Sequence, residues 1–267
     1  MFLARSFNTD CFDTSPRLIR AACQLLLLLV TVVPSVASAD STVDARAGVG
    51  GWQQQAEGDL RSGLSDVDVE DDLGIDPEPG VLAYFSFEHA VPIVPNLRFD
   101  YADTSLTGDE QLDRSIEVNG TVFGFSDQVS TEIELRQADA LLYYEVLDNQ
   151  LSFDVGVAAR YIDGEIAVAS STALAEAEFK GALPLLYAGL RAELPLAGLW
   201  VGAQVRGAGY GGDQLVDVQA RLGYQSKFGL GTQIGWRSLQ LSLEDYDDLD
   251  EANIDISGPY VMLNFQF

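Results

Sequence analysis

The chain has 267 residues, 47% of them hydrophobic, and sets 15 Lys+Arg against 41 Asp+Glu for a formal net charge of −26. Such an acidic surface repels nucleic acid and argues against a phosphate-binding face, although it also suits a salty medium that screens like charges. Both cysteines, Cys11 and Cys23, precede residue 40, so disulfide, zinc and thiolate chemistry are closed to everything after it.

The first element is a secretory leader. Arg17 and Arg20 precede the apolar run from Leu25 to Val33, and Ala37-Ser-Ala39 supplies a small-x-small cleavage site. The run is too short to span a bilayer, which takes about 20 apolar residues, and Cys23 lies ahead of it, where no lipoprotein site belongs. We expect cleavage near Ala39, with residues 1–39 as signal peptide and 40–267 as a single barrel domain.

Beyond the leader, period-two segments recur to the last residue. The proposed strands are 42–55, 80–89, 96–107, 131–146, 151–169, 174–193, 199–208, 215–226, 229–243 and 253–267. Alternation is clearest in 215–226, where Val216, Val218, Ala220, Leu222 and Tyr224 oppose Asp217, Gln219, Arg221, Gly223 and Gln225. It is equally clear in 151–162, where Leu151, Phe153, Val155 and Val157 oppose Ser152, Asp154, Gly156 and Arg160. The phase slips where Ile234 and Trp236 give way to Leu239, Leu241 and Leu243, which predicts a bulge or a strand continuing past the membrane. Pro184 raises a similar doubt inside 174–193.

The connectors alternate in kind. Val91-Pro-Ile-Val-Pro-Asn96, Leu147-Asp-Asn-Gln150, Leu194-Pro-Leu-Ala-Gly198 and Ser226-Lys-Phe-Gly229 are short and rich in turn residues, whereas 56–79, 108–130 and 244–252 are long and acidic or polar. Short periplasmic turns and longer outward loops are the pattern of a transmembrane barrel. The expected fold is therefore all-β: an antiparallel up-and-down transmembrane barrel of ten strands with both termini periplasmic, located in the cell outer membrane. Eight or twelve strands are the alternatives, because 112–125 can pair as a small hairpin above the membrane; a secreted β-sandwich explains the alternation but not the aromatic end. Val261, Leu263, Phe265 and Phe267 form an apolar row. An open sheet edge cannot face lipid, so this strand should close against the first, with Phe265 and Phe267 in the periplasmic aromatic girdle. The row is similar to the signal read by the outer-membrane assembly machinery of bacteria.

Val43 to Trp52, with Gly50-Gly51, followed by Asp68-Val-Glu-Asp-Asp-Leu-Gly74, resembles a family of uncharacterised Gram-negative outer-membrane β-barrel proteins marked by a Gly-Gly motif near the mature N-terminus. The resemblance implies location and fold and no activity. Read from the residues alone, the pair permits a bulge or a close strand approach beside Trp52.

Chemistry is sparse. Barrel hydrolases, acyltransferases and proteases rely on histidine beside serine or a carboxylate, because proton transfer near neutral pH suits imidazole. The only histidine, His89, ends a strand next to the turn holding Pro92 and Pro95, and only Lys180 and Lys227 provide amines. No catalytic residue, cofactor site or metal site is assigned. Asp66-Val-Asp-Val-Glu-Asp71 begins like a calcium loop, yet Asp71 stands where an EF-hand turn takes glycine; this segment and Asp245 to Glu251 suit weak divalent cations at most. The strongest constellation is lumenal. Arg46, Arg98, Arg160, Arg206, Arg221 and Arg237 fall on the polar phase with Asp44, Asp100, Asp154, Asp217, Gln204, Gln219 and Gln233. Guanidinium groups pair bidentately with carboxylates in a crowded interior. The reading favoured is a non-enzymatic outer-membrane barrel with an Arg/Asp-filled lumen, in which Arg160, Arg206 and Arg221 pair with carboxylates such as Asp154 and Asp217. A small passive diffusion pore is the alternative and an outer-membrane enzyme the second alternative. Its partners would be outer-membrane lipid and lipopolysaccharide, and the assembly machinery during biogenesis.

Overall fold

The computed structural model describes residues 43–267, apart from 63–64, 92, 197, 211 and 247–248; the proposed signal peptide lies outside the described residues. The strands are β1 (Asp44–Ser62), β2 (Ser65–Asp68), β3 (Glu78–Glu88), β4 (Asn96–Gln111), β5 (Ile116–Val118), β6 (Thr121–Phe123), β7 (Gln128–Asp148), β8 (Leu151–Ala169), β9 (Leu174–Glu193), β10 (Leu199–Tyr210), β11 (Asp213–Gln225), β12 (Leu230–Tyr246) and β13 (Leu249–Gln266). Each long strand pairs antiparallel with the next, and β13 returns to pair with β1. The result is a closed barrel of ten strands. β2 folds back on the end of β1, and β5 and β6 make the separate small hairpin allowed for between 112 and 125.

Both described ends of the chain meet at one rim, where Ala45 N–H donates to Phe267 O at 3.2 Å and Phe267 N–H to Ala45 O at 3.0 Å. The four short connectors lie at this turn end, and Gly198 and Gly229 hold two of its reversals at φ of 81° and 83°. At the opposite, loop end the strands run longer than the alternation suggests. β12 and β13 remain paired as far as Tyr246↔Leu249. The segment 244–252 is thus largely a strand hairpin and not the long loop expected. The slip in β12 has the same explanation: its register with β11 and β13 is unbroken, and Leu239 and Leu241 simply face inward on a strand that continues. Pro184 sits where, among the described residues, β9 pairs only with β8, since pairing with β10 begins at Leu186, so the missing N–H costs little.

Burial divides the tube into two zones. From the turn end upward, the outward rows carry Val49, Phe85, Leu142, Leu222, Ile234 and Leu263, between 39% and 62% exposed, while polar side chains face the lumen. Tyr101, Ala138 and Tyr161 share one lateral row at the upper margin of this apolar belt. Above that row the polarity reverses. Glu57, Asp59, Glu132, Glu176 and Gln240 point outward, and Leu60, Leu106, Leu135, Val168, Leu239 and Ile256 are buried inside. Ile116 and Phe123 of the β5–β6 hairpin and Val67, Val69 and Leu73 of the β1–β3 connector complete this apolar cap. Burying it removes apolar area from water at roughly 25 cal/mol per Å².

In the lumen, bulky rings lie over glycines of the adjacent strand. A Cβ at Gly223 would stand 2.3 Å from the Trp200 ring, and one at Gly48 2.4 Å from Tyr84. Gly50 does a related job: a Cβ there would meet Val261 O at 2.0 Å, which marks a close approach of β1 to β13 with no register shift, whereas a Cβ at Gly51 would meet nothing nearer than 3.9 Å.

Candidate functional site: an ion-paired lumen

The register brings carboxylates and guanidinium groups to one level from opposite walls. On one side Asp100 (β4), Asp139 (β7) and Arg160 (β8) share a row; on the other, Arg206 (β10) and Asp217 (β11) are direct partners, with Arg237 two residues along from Leu239 on β12. Arg160 grips Asp139 with Nε and Nη2 at 2.7 and 2.8 Å, and its Nη2 also reaches Asp217 across the lumen at 2.6 Å. Arg206 donates to Asp139 at 3.0 Å and to Asp100 at 2.6 Å. Arg237 closes the circuit on Asp217 at 3.1 and 2.7 Å and donates to Gln137 at 3.1 Å. Arg98 clasps Asp100 in turn, at 2.8–3.0 Å.

This is a brace, not a lining. Arg160, Arg206, Asp217 and Arg237 are each at most 2% exposed, and Asp139 4%. Aromatic faces complete the desolvation: Arg98 lies 4.3 Å from the Tyr84 ring centre and Arg237 4.7 Å from that of Trp52. Ion pairs with two or three charge-assisted bonds per carboxylate recover the large cost of stripping water from these groups only through such geometry. The brace leaves Arg160 Nη1, Arg206 Nε and Gln137 Nε2 buried without acceptors.

Of the residues singled out from sequence, Arg98, Asp100, Arg160, Arg206, Asp217 and Arg237 meet in this network. Arg46 does not. It lies nearer the turn end, paired with Asp44 and, at 3.1 Å, with Glu88, which also accepts from Tyr143 Oη at 2.8 Å. Asp154 and Arg221 face the lumen but pair with neither the network nor each other: Asp154 Oδ1 and Arg221 Nε lack partners, and Arg221 lies 5.6 Å from the Trp200 ring centre. The carboxylates that serve Arg160 and Arg206 are therefore Asp217, as expected, with Asp139 and Asp100 in place of Asp154. Asp139 was not legible beforehand, because its strand carries Glu132 and Glu134 on the other phase.

The remaining candidates fall elsewhere. Val261, Leu263, Phe265 and Phe267 form an outward row on β13 and beyond it, with the two phenylalanine rings 5.5 Å apart. His89 is tied to its turn, its Nδ1 accepting from Val91 N–H at 3.2 Å. In the calcium-like segment, Asp68 turns its carboxylate onto the N–H groups of Glu70 and Asp71 at 2.9 and 2.8 Å, and Asp72 pairs with Arg114. These acids cap a turn. Among the described residues no group of three or more His, Cys, Asp or Glu is placed to hold a metal ion. The side chains of 243–250 lie outside the described residues.

No family model and no curated protein matches the chain. Solved structures with a similar course include the outer membrane protease OmpT of Escherichia coli, at 12% identity over 87% of this chain and 100% of that one, with a TM-score of 0.47. The translocator domain of the autotransporter NalP of Neisseria meningitidis aligns at 14% identity over 97% and 100%, TM-score 0.41. Ail of Yersinia pestis, solved with sucrose octasulfate, aligns at 9% over 84% and 99%, TM-score 0.36. None of these likenesses bears on activity, and the fold rests on the closed register of this chain itself.

Proposed function

We propose that the chain is a non-enzymatic outer-membrane barrel whose lumen is shut twice, by the ion-pair brace and by the apolar cap, and whose acidic loop end faces outward from the cell. The observation that carries the reading is the cross-lumen pairing of Arg160 with Asp217 and of Arg206 with Asp100 and Asp139. Side chains bonded across a tube leave no continuous column of water for a solute to follow. The membrane assignment is supported by the belt: the outward apolar row of β13 and its end runs from Pro259 to Phe267, close to the nine to eleven residues, about, that a tilted strand needs to cross a bilayer. Aromatic side chains mark its margins, Tyr101, Tyr161 and Trp236 above and Phe87, Tyr224 and Phe265 below. With the termini at the turn end, that end is the periplasmic one. Lipid and lipopolysaccharide are then the neighbours of the belt, and the row ending in Phe265 and Phe267 is what the assembly machinery would read. The resemblance carried by Gly50-Gly51 belongs to the same proposal.

Planar-bilayer recording on refolded protein tests it. The expected trace shows no unitary steps, and Arg206→Ala destabilises the protein without opening it. Steady channels in the unaltered protein, with an ion preference that shifts in a fully stable Arg206→Ala variant, would establish the diffusion pore instead.

A further inference from the structure

The barrel wall has a notch. β9 pairs with β8 along its whole length, from Ala169↔Leu174 to Leu151↔Ala192, yet with β10 only from Leu186↔Gly207 to Glu193↔Trp200. β10 ends at Tyr210, paired to Asp213 of β11. Over Leu174 to Leu185 no other strand pairs with β9 on its second side among the described residues. Such an edge presents unpaired N–H and C=O groups and is a template for another strand. Its backbone already takes a donor from outside the sheet: the side-chain amide of Asn119, at the tip of the β5–β6 hairpin, donates to Glu176 O at 3.0 Å.

Both faces beside the notch are incomplete in a specific way. On the inward face, Phe179 and Leu183 of β9, Ala208 of β10 and Leu241 of β12 pack against the apolar cap but remain only partly buried. On the outward face the register sets Glu134, Glu165 and Glu178 directly opposite one another across β7, β8 and β9, with Glu132 and Glu176 in the next row. Like charges directly opposed across strands are destabilising. The nearby cations, Arg136 and Lys180, sit one row below, at 2.8 Å from Glu134 and 3.4 Å from Asp163. The ladder of glutamates thus runs up to the open edge and stops there.

We propose that the outer half of β9 is a strand-addition site for an extended polypeptide segment in which apolar and basic residues alternate. Main-chain hydrogen bonds to the edge supply affinity, and the period-two alternation supplies specificity. Apolar side chains of the added strand cover Phe179 and Leu183, while its lysines or arginines stand beside Glu178 and Glu176. A second copy of this chain is the wrong occupant, because pairing two such edges sets glutamate against glutamate.

The test uses refolded protein in lipid nanodiscs and a short peptide of alternating valine and lysine. It should bind, slow amide hydrogen exchange across 175–183, and lose binding when its own backbone is N-methylated. The double variant Glu176→Lys, Glu178→Lys should weaken it by about three- to tenfold, the worth of two exposed ion pairs. No binding, or binding that survives N-methylation or a blocked order of the same residues, overturns strand addition. Peptide-free dimers with 175–183 protected would assign the edge to a second copy and overturn it equally.

Discussion

Two stretches of the same tube are built inside out with respect to each other. In the belt, leucine, valine and phenylalanine face outward and the charges are inside; above the row of Tyr101 and Tyr161, glutamates face outward and leucines fill the interior. The strands do not change phase between the zones, for the register runs through both without interruption on β12. On the proposed membrane placement, what changes is the surrounding solvent, and each interior is filled by whatever the outward face does not use. An ion-filled lumen depends on directional bonds, whereas one filled with hydrocarbon needs only volume. The two zones should therefore fail differently.

The largest expected effect is at Asp139, which serves both Arg160 and Arg206. Asp139→Ala takes one of two carboxylate partners from each of two buried guanidinium groups, leaving Arg160 with Asp217 and Arg206 with Asp100, and should cost about 3–5 kcal/mol, read as a lowered urea midpoint in micelles. Leu106→Ala in the cap, at 0% exposure, removes volume without stranding a charge and should cost about 2–5 kcal/mol, tracking the cavity left behind. On the outward faces the comparison sharpens with one residue type. Leu222→Arg, in the row Val201, Leu222, Ile234 across three strands, should cost about 2–4 kcal/mol near the bilayer midplane. Gln240→Arg, beside Asp255 above the belt, should stay within about 0.5 kcal/mol. Equal penalties at the two sites, measured by reversible unfolding in liposomes, would remove the distinction between the zones.

The reversal also explains what could be read from the sequence. Alternation predicts β8 and β9 with the limits observed, and counting turns gives the strand number, because alternation is visible whichever face is apolar. Assigning faces was harder. On β7 the inward phase runs Ile133, Leu135, Gln137, Asp139, Leu141 and the outward phase Glu132, Glu134, Arg136, Ala138, Ala140, Leu142. A rule that apolar means outward holds for the last of these and inverts for the first, so Asp139 had no clear face. The pairings were less legible still. Which aspartate meets which arginine depends on how opposite walls approach, as in Arg206 with Asp100, and nothing local to either strand encodes that distance.

The seam between β1 and β13 sets the order in which the molecule can form. Every other wall pairing joins strands consecutive around the sheet and connected by nearby chain, whereas the seam brings together residues 222 positions apart, as Gln266 and Asp44. Contacts of such high sequence separation are reached late, after the loop-closure entropy of the whole intervening chain has been met. Until then the curved sheet has two long raw margins, and the lumen arginines of one wall have no aspartates opposite. Arg206 and Asp100 are 106 positions apart and meet only when the sheet curls. Sealing the seam and completing the cross-lumen bonds of Arg206 and of Arg160 to Asp217 are consequently one cooperative step, while the pairs within or between adjacent strands, Arg98–Asp100, Arg160–Asp139 and Arg237–Asp217, can form on the open ribbon.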